Sequence, residues 1–242
     1  NYTRKNRLVG MQKRFFVIVF AWIVLFYWGV FAQEKISLPH NFSKAVEHMQ
    51  YDRLGNEKGK ISVKIIDRNT LHVKLTFSLD QLLRQDDWQL TLKPAFTPSF
   101  HWSPHLSPTD NHVIDQHVFR SPALIVADKA QVLALIPDLN IMQRGTPVRW
   151  YLDLNAGTNT LTIGMSDSRV TDHVLFERIE GAEYPNGKVE IGFYLLHYVD
   201  EACLINPFRK PLDFIWTNWG RKAYRTGNPI EGDLEPYIQH TY

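Results

Sequence analysis

Two alternating runs around a short polar break constrain this chain more than any other feature. Lys60-Ile-Ser-Val-Lys-Ile-Ile66 alternates polar and apolar residues, Asp67-Arg-Asn69 interrupts, and Thr70-Leu-His-Val-Lys-Leu-Thr-Phe77 resumes the period. A period of two lines one face of a strand and no face of a helix, so the pair predicts a β-hairpin. Trp88-Gln-Leu-Thr-Leu-Lys93 predicts another strand, closed by Pro94 and Pro98. Ala123-Leu-Ile-Val-Ala127 and Gln131-Val-Leu-Ala-Leu-Ile136 follow, with a tight turn expected at Asp128-Lys129. Arg149-Trp-Tyr-Leu-Asp-Leu154 and Thr160-Leu-Thr-Ile-Gly164 flank Asn155-Ala-Gly-Thr-Asn159, a further hairpin pattern. Asn186-Gly187, a strong turn dipeptide, launches Lys188-Val-Glu-Ile-Gly-Phe-Tyr-Leu-Leu-His-Tyr198. About nine strands at short spacing, with almost no helical period, predict a mainly β fold: an antiparallel β-sandwich or its enlarged supersandwich form. No repeat of roughly 20–50 residues is visible, which disfavours a propeller or solenoid.

Ahead of the strands lies an uncharged apolar run, residues 15–32, behind Lys13 and Arg14. A basic start, an apolar stretch and Val30-Phe31-Ala32 before Gln33-Glu34-Lys35 match a secretory signal peptide cleaved after Ala32. The alternative is an uncleaved anchor, since the run from Phe15 to Ala32 is long enough to span a bilayer, with Trp22, Tyr27 and Trp28 suited to an interface. Either reading implies export, to a periplasm, a cell surface or the exterior. The residues before Met11 read as upstream frame or an extended basic start and are set aside from fold reasoning.

Subtracting residues 1–32 changes the charge. The full chain carries 27 Lys and Arg against 25 Asp and Glu; the leader holds five of the basic residues and no acidic one, leaving a balance of −3. A nucleic-acid partner thereby loses its electrostatic argument. With Cys203 as the only cysteine, no intrachain disulfide forms.

Two regions invite a chemical reading. Residues 97–112, Thr-Pro-Ser-Phe-His-Trp-Ser-Pro-His-Leu-Ser-Pro-Thr-Asp-Asn-His, form a loop whose prolines forbid a continuous helix or a central strand. Trp102, beside Phe96 and Phe100, can offer a flat face to a sugar ring, with His101, His105 and Asp110 as hydroxyl partners; the competing reading caps the sandwich core with Trp102. His101, His105, His112 and His117, with Asp110 and Asp115, have ligand chemistry, but the irregular spacing points to a polar surface loop, and no metal or other cofactor is expected. The acidic groups Asp86-Asp87, Asp167 with Asp172, and Glu177 with Glu180 and Glu183 have the residue types of an acid/base pair, yet turn and edge chemistry explains them equally. The G-x-S-x-G elbow, the phosphate-binding glycine loop and the H-E-x-x-H helix are absent, and Cys203 reads as core. No catalytic residue is assigned.

The pattern changes at Pro207. Phe208-Arg-Lys-Pro-Leu-Asp-Phe-Ile-Trp-Thr-Asn-Trp-Gly-Arg-Lys-Ala-Tyr224 sets Leu212, Ile215, Trp216, Trp219 and Ala223 near helical spacing, with Pro211 in the first turn. Asp233 ahead of Leu234, Tyr237 and Ile238 reads as a second helical start, so residues 207–242 are expected to connect into a further domain. The domain plan is a leader and signal segment at 1–32, a β-sandwich at 33–206 and a helical linker at 207–242.

An exported β domain of this size running through this aromatic linker resembles the N-terminal sandwich and linker of secreted bacterial glycoside hydrolases with an (α/α)6-barrel catalytic domain. The resemblance is one of architecture over residues 36–242 and rests on no diagnostic motif. It implies a non-catalytic accessory domain that packs on the barrel and lends the 97–112 loop to the sugar cleft, with the catalytic carboxylates beyond residue 242. The partners it implies are an oligosaccharide or polysaccharide and the chain's own catalytic domain, with a membrane engaged only through residues 15–32 if uncleaved. The alternative is a free-standing carbohydrate-binding or surface-interaction sandwich. A self-contained sandwich enzyme, lyase-like or mutarotase-like and using the His101–His117 loop, is a third possibility.

Overall fold

The expected hairpin forms β3 (Lys60–Asp67) and β4 (Thr70–Ser78), and the Asp67 carboxylate closes its turn by accepting the Asn69 N–H at 2.7 Å. In this computed structural model residues 33–54, 57–78, 88–103, 114–115, 122–142, 149–166, 188–199 and 205–222 are described. The remaining elements are β1 (Gln33–Lys35), α1 (His40–Ser43), β2 (Val46–Asp52), β5 (Trp88–Pro94), β6 (Phe100–Trp102), β7 (Ile114–Asp115), β8 (Leu124–Ala127), β9 (Val132–Pro137), α2 (Leu139–Met142), β10 (Arg149–Asn155), β11 (Thr160–Ser166), β12 (Lys188–Tyr198) and α3 (Arg209–Ile215).

Twelve described strands make two six-stranded sheets. The first runs β1-β2-β5-β11-β10-β7 and the second β3-β4-β12-β9-β8-β6, with every pair antiparallel. They pack face to face as a β-sandwich. Alternate residues of β4 (Leu71, Val73, Leu75, Phe77) and β12 (Val189, Ile191, Phe193, Leu195) meet Met49 and Tyr51 of β2, Leu90 and Leu92 of β5 and Leu161 and Ile163 of β11 in one buried core. Each such side chain contributes about 1.5–3 kcal/mol by leaving water, so the period of two in the sequence is the direct imprint of this interface.

The strands that pattern reading passes over lie mostly at the margins. β1, β6 and β7 have two or three residues each, and β6 lies inside the proline-rich loop as an edge strand that, among the described residues, pairs only with β8. An edge strand tolerates flanking prolines because one side of its backbone needs no partner. β3 is the opposite edge of that sheet, with exposed Lys60 and Lys64 and a bulge between Ile65 and Asp67, features that discourage pairing with another chain. Among the described residues no helix is long and apolar enough to cross a membrane; residues 15–32 lie outside them.

Candidate functional site

β8 and β9 read Leu-Ile-Val-Ala and Val-Leu-Ala-Leu-Ile-Pro and are buried at every position. Leu124, Val126, Leu133 and Leu135 face the other sheet, whereas Ile125, Ala127, Val132, Ala134 and Ile136 join Leu196 and Tyr198 in a second apolar cluster on the outer face. An unbroken apolar run is what a strand needs when both of its faces are covered.

The cover on the outer face is the segment that follows β12. α3 opens at Arg209 with Pro211 in its first turn, where the missing N–H costs no helical bond, and continues as a π-helical turn, Trp216–Gly220. Phe208 meets Phe100 and Trp102 of β6 edge-to-face, at centroid separations of 5.3 and 5.5 Å. Phe214 and Trp219 both pack on Tyr194 of β12, at 5.0 and 5.8 Å, and Lys210 Nζ lies 5.4 Å from the centre of the Tyr198 ring. Edge-to-face aromatic pairs add roughly 0.5–1.5 kcal/mol each to the area they bury. The residues at helical spacing differ in burial: Ile215 and Trp219 pack on the sheet, while Leu212 and Trp216 remain 42% and 48% exposed. Trp216 lies across Gly220, where an added Cβ would come within 2.6 Å of the indole. Trp219 is buried, and its Nε1–H meets no acceptor among the described residues.

At the border of this aromatic seam sits a polar cluster that pattern reading missed. His72 of β4 stacks on Tyr194 with centroids 4.5 Å apart, and its Nε2 lies 2.9 Å from Asp138 Oδ2. A carboxylate only accepts, so Nε2 carries the proton. Asp138 is fixed in turn: its N–H donates to the Gly192 carbonyl at 2.8 Å, and its Oδ1 accepts the Asn140 N–H at 3.0 Å, capping α2. A Cβ at Gly192 would run into the Ile141 side chain and come within 3.1 Å of Asp138 Cβ, so glycine gives α2 room to rest on β12. Burial pushes the Asp138 carboxyl up, but the His72 hydrogen bond and charge and the backbone N–H groups of Asn140 and Ile141 outweigh it, leaving the group below the usual carboxylate range. Tyr194 is raised by burial and then by the Asp138 charge. The pair resembles the base-orienting half of a hydrolytic triad, yet no serine, threonine or cysteine hydrogen-bonds His72 among the described residues. What the geometry shows is a strut holding Tyr194 under the connector.

On the far side of His72 the same face is charged. Lys74 and Lys188 reach Glu190 Oε1 at 2.6 and 3.0 Å, and their hydrogen bonds, Lys74 first, drive the Glu190 carboxyl down to about 2.

The residues singled out for sugar contact separate in space. His101 and Trp102 are successive residues of β6 and so project to opposite faces. His101 Nε2 donates to Asn159 Oδ1 at 2.8 Å, tying β6 to the β10–β11 turn across the sandwich, whereas Trp102 is half-buried against Phe208 on the outside. Asn159 holds a left-handed φ of 55°, which asparagine tolerates well, and this presents its amide to His101. His105 and Asp110 lie outside the described residues, as do His112, His117, Cys203 and the acidic groups Asp86-Asp87, Asp167, Asp172, Glu177, Glu180 and Glu183. Among the described residues no three of His, Cys, Asp and Glu converge on a metal-sized site.

A cavity of about 850 Å³ opens at the other end of the seam, between β6, the β8–β9 turn and the start of the connector. Phe100 and Phe208 line it together with Asp128, Lys129 and Asn206, and Ile205 at its mouth is 88% exposed.

No protein-family model matches the chain, and no curated protein is significantly similar to it. The functional reading therefore rests on the seam and the groups around it.

Proposed function

We propose that this chain is the non-catalytic N-terminal accessory domain of an exported carbohydrate-active enzyme, a glycoside hydrolase, whose helical catalytic domain follows the connector. The observation that carries this reading is the connector's pair of exposed apolar side chains, Leu212 and Trp216. Phe208, Phe214, Ile215 and Trp219 seat it on the outer face of the second sheet, while Leu212 and Trp216 beside them are left 42% and 48% exposed. A surface helix of a self-contained domain buries one apolar stripe and shows water a polar one. Large apolar side chains left exposed beside that stripe suit contact with a second packed body. Catalytic carboxylates belong to that second domain, and none is assigned to this chain.

Sequencing the reading frame past Tyr242 and assaying the extended product test this. The expected result is helical sequence containing paired Asp or Glu, glycan hydrolysis by the extended product and no turnover by this chain alone. A stop codon directly after Tyr242, or hydrolysis by the isolated chain, would contradict the proposal.

A further inference from the structure

We infer that the cavity between β6, the β8–β9 turn and the head of the connector is a binding site for a neutral oligosaccharide. The inference deepens the carbohydrate reading above and rests on it for the class of ligand. At about 850 Å³ the cavity is within the roughly 300–1,000 Å³ range of small-ligand sites. Its floor is a corner of two half-exposed rings: Phe100 and Phe208 cross at 89° with centroids 5.3 Å apart. Such a corner offers an aromatic face to the C–H side of a pyranose and an edge to its rim. Ile205, 88% exposed, adds to the apolar part of the lining.

The walls carry hydroxyl-binding groups of both polarities. Asp128 is preorganised, because its Oδ1 accepts the N–H groups of Ala130 and Gln131 at 2.7 and 2.8 Å, which fixes the carboxylate and leaves Oδ2 to accept from a ligand hydroxyl. Lys129 donates, and the Asn206 amide does both. One carboxylate beside one ammonium leaves the site without net charge, so it favours a neutral sugar over a polyanion. A wholly apolar ligand would strand these polar groups without partners, a cost that a sugar avoids.

Isothermal titration of the full chain with cello-, xylo-, manno- and malto-pentaose tests the site. The expected result is saturable binding of at least one of the four, weakened about tenfold or more by Phe100→Leu and by Asn206→Ala, and unchanged by Lys64→Ala on the distant β3 edge. Phe100→Leu removes the ring while keeping an apolar side chain, and Asn206 is exposed, so unaltered thermal midpoints will show that the fold is intact. Absence of heat with all four sugars, or binding indifferent to both variants, overturns the inference. If the sugars fail to bind here while the extended gene product hydrolyses glycan, the cavity assignment falls and the accessory-domain reading stands. If they bind here and the extended product hydrolyses nothing, the reverse holds.

Discussion

The outer face of the second sheet is really two surfaces, and their contrast explains what the domain is built to do. Across β3, β4 and the first half of β12 it carries Lys60, Lys64, Lys74, Lys188 and Glu190, a solvated lattice of charge. Across the second half of β12 and through β9, β8 and β6 it carries Tyr194, Leu196, Tyr198, Ile136, Ala134, Ile125 and Trp102, roofed by the connector. The backbone is continuous and the pairing antiparallel throughout, so the difference lies in side chains alone. A sandwich needs only its inner faces apolar to fold. The apolar half of the outer face therefore serves the connector, and His72 with Asp138 marks the line where one surface gives way to the other.

The sharpest way to break this contrast is to compare the core with the seam. Phe193→Ala, in a side chain with no exposure between the sheets, should cost about 3–5 kcal/mol in urea denaturation, because it opens a cavity in the cooperative core. Trp219→Ala removes a side chain of comparable burial, yet the connector can lift off while the sandwich stays folded. Its global cost should be about 1–2 kcal/mol, accompanied by faster tryptic cleavage at Arg209, Arg221 and Lys222. Equal global losses in the two variants would make the connector part of the core.

The border cluster comes next. Asp138→Asn should cost about 1–2 kcal/mol at neutral pH, since it weakens a charge-assisted bond to His72. The folded carboxyl titrates below its unfolded value, so the stability it contributes is complete above the unfolded pKa, near about 3.9, and disappears as pH falls through the lower folded value. Thermal melts of the two proteins should therefore differ at neutral pH and converge in strong acid. A difference that widens with acidification would assign the wrong sign to this pair.

The smallest effect belongs to the charged surface. Glu190 is held at about 2 by two lysines, but the group is near water, so Glu190→Gln should cost at most about 1 kcal/mol. That difference should be present above pH 4.5, close as pH falls toward 2 and shrink in high salt. A loss comparable to that of Trp219→Ala would erase the distinction between the two surfaces.

Much of the sandwich is legible in the chain because burial writes a simple code. Where one face is covered, as in β4, apolar residues recur every second position; where both are covered, as in β8 and β9, the apolar run is continuous. Lys188–Tyr198 reads as a strand for the same reason, and its outward positions change from Glu190 to Tyr194 and Tyr198 at the border of the seam. β1, β6 and β7 are too short for any period to show. The opposed directions of His101 and Trp102 follow from strand geometry once β6 is known to be a strand, which the prolines around it concealed. The His72–Asp138 bond joins residues 66 positions apart, and no local pattern encodes it. One trace was available: His72 lies opposite Lys64 and two positions before Lys74, an imidazole among the charged outward positions of the hairpin.

The account stands on the connector being held to the sheet, and amide hydrogen exchange reads that directly. Arg209–Ile215 and Trp216–Gly220 form a short helical stretch that isolated peptides of this length do not sustain in water. Seated on the aromatic seam, its backbone N–H groups should exchange about a hundredfold more slowly than unprotected amides. Exchange at the unprotected rate across residues 212–220, with β12 still protected, would contradict the account at its centre.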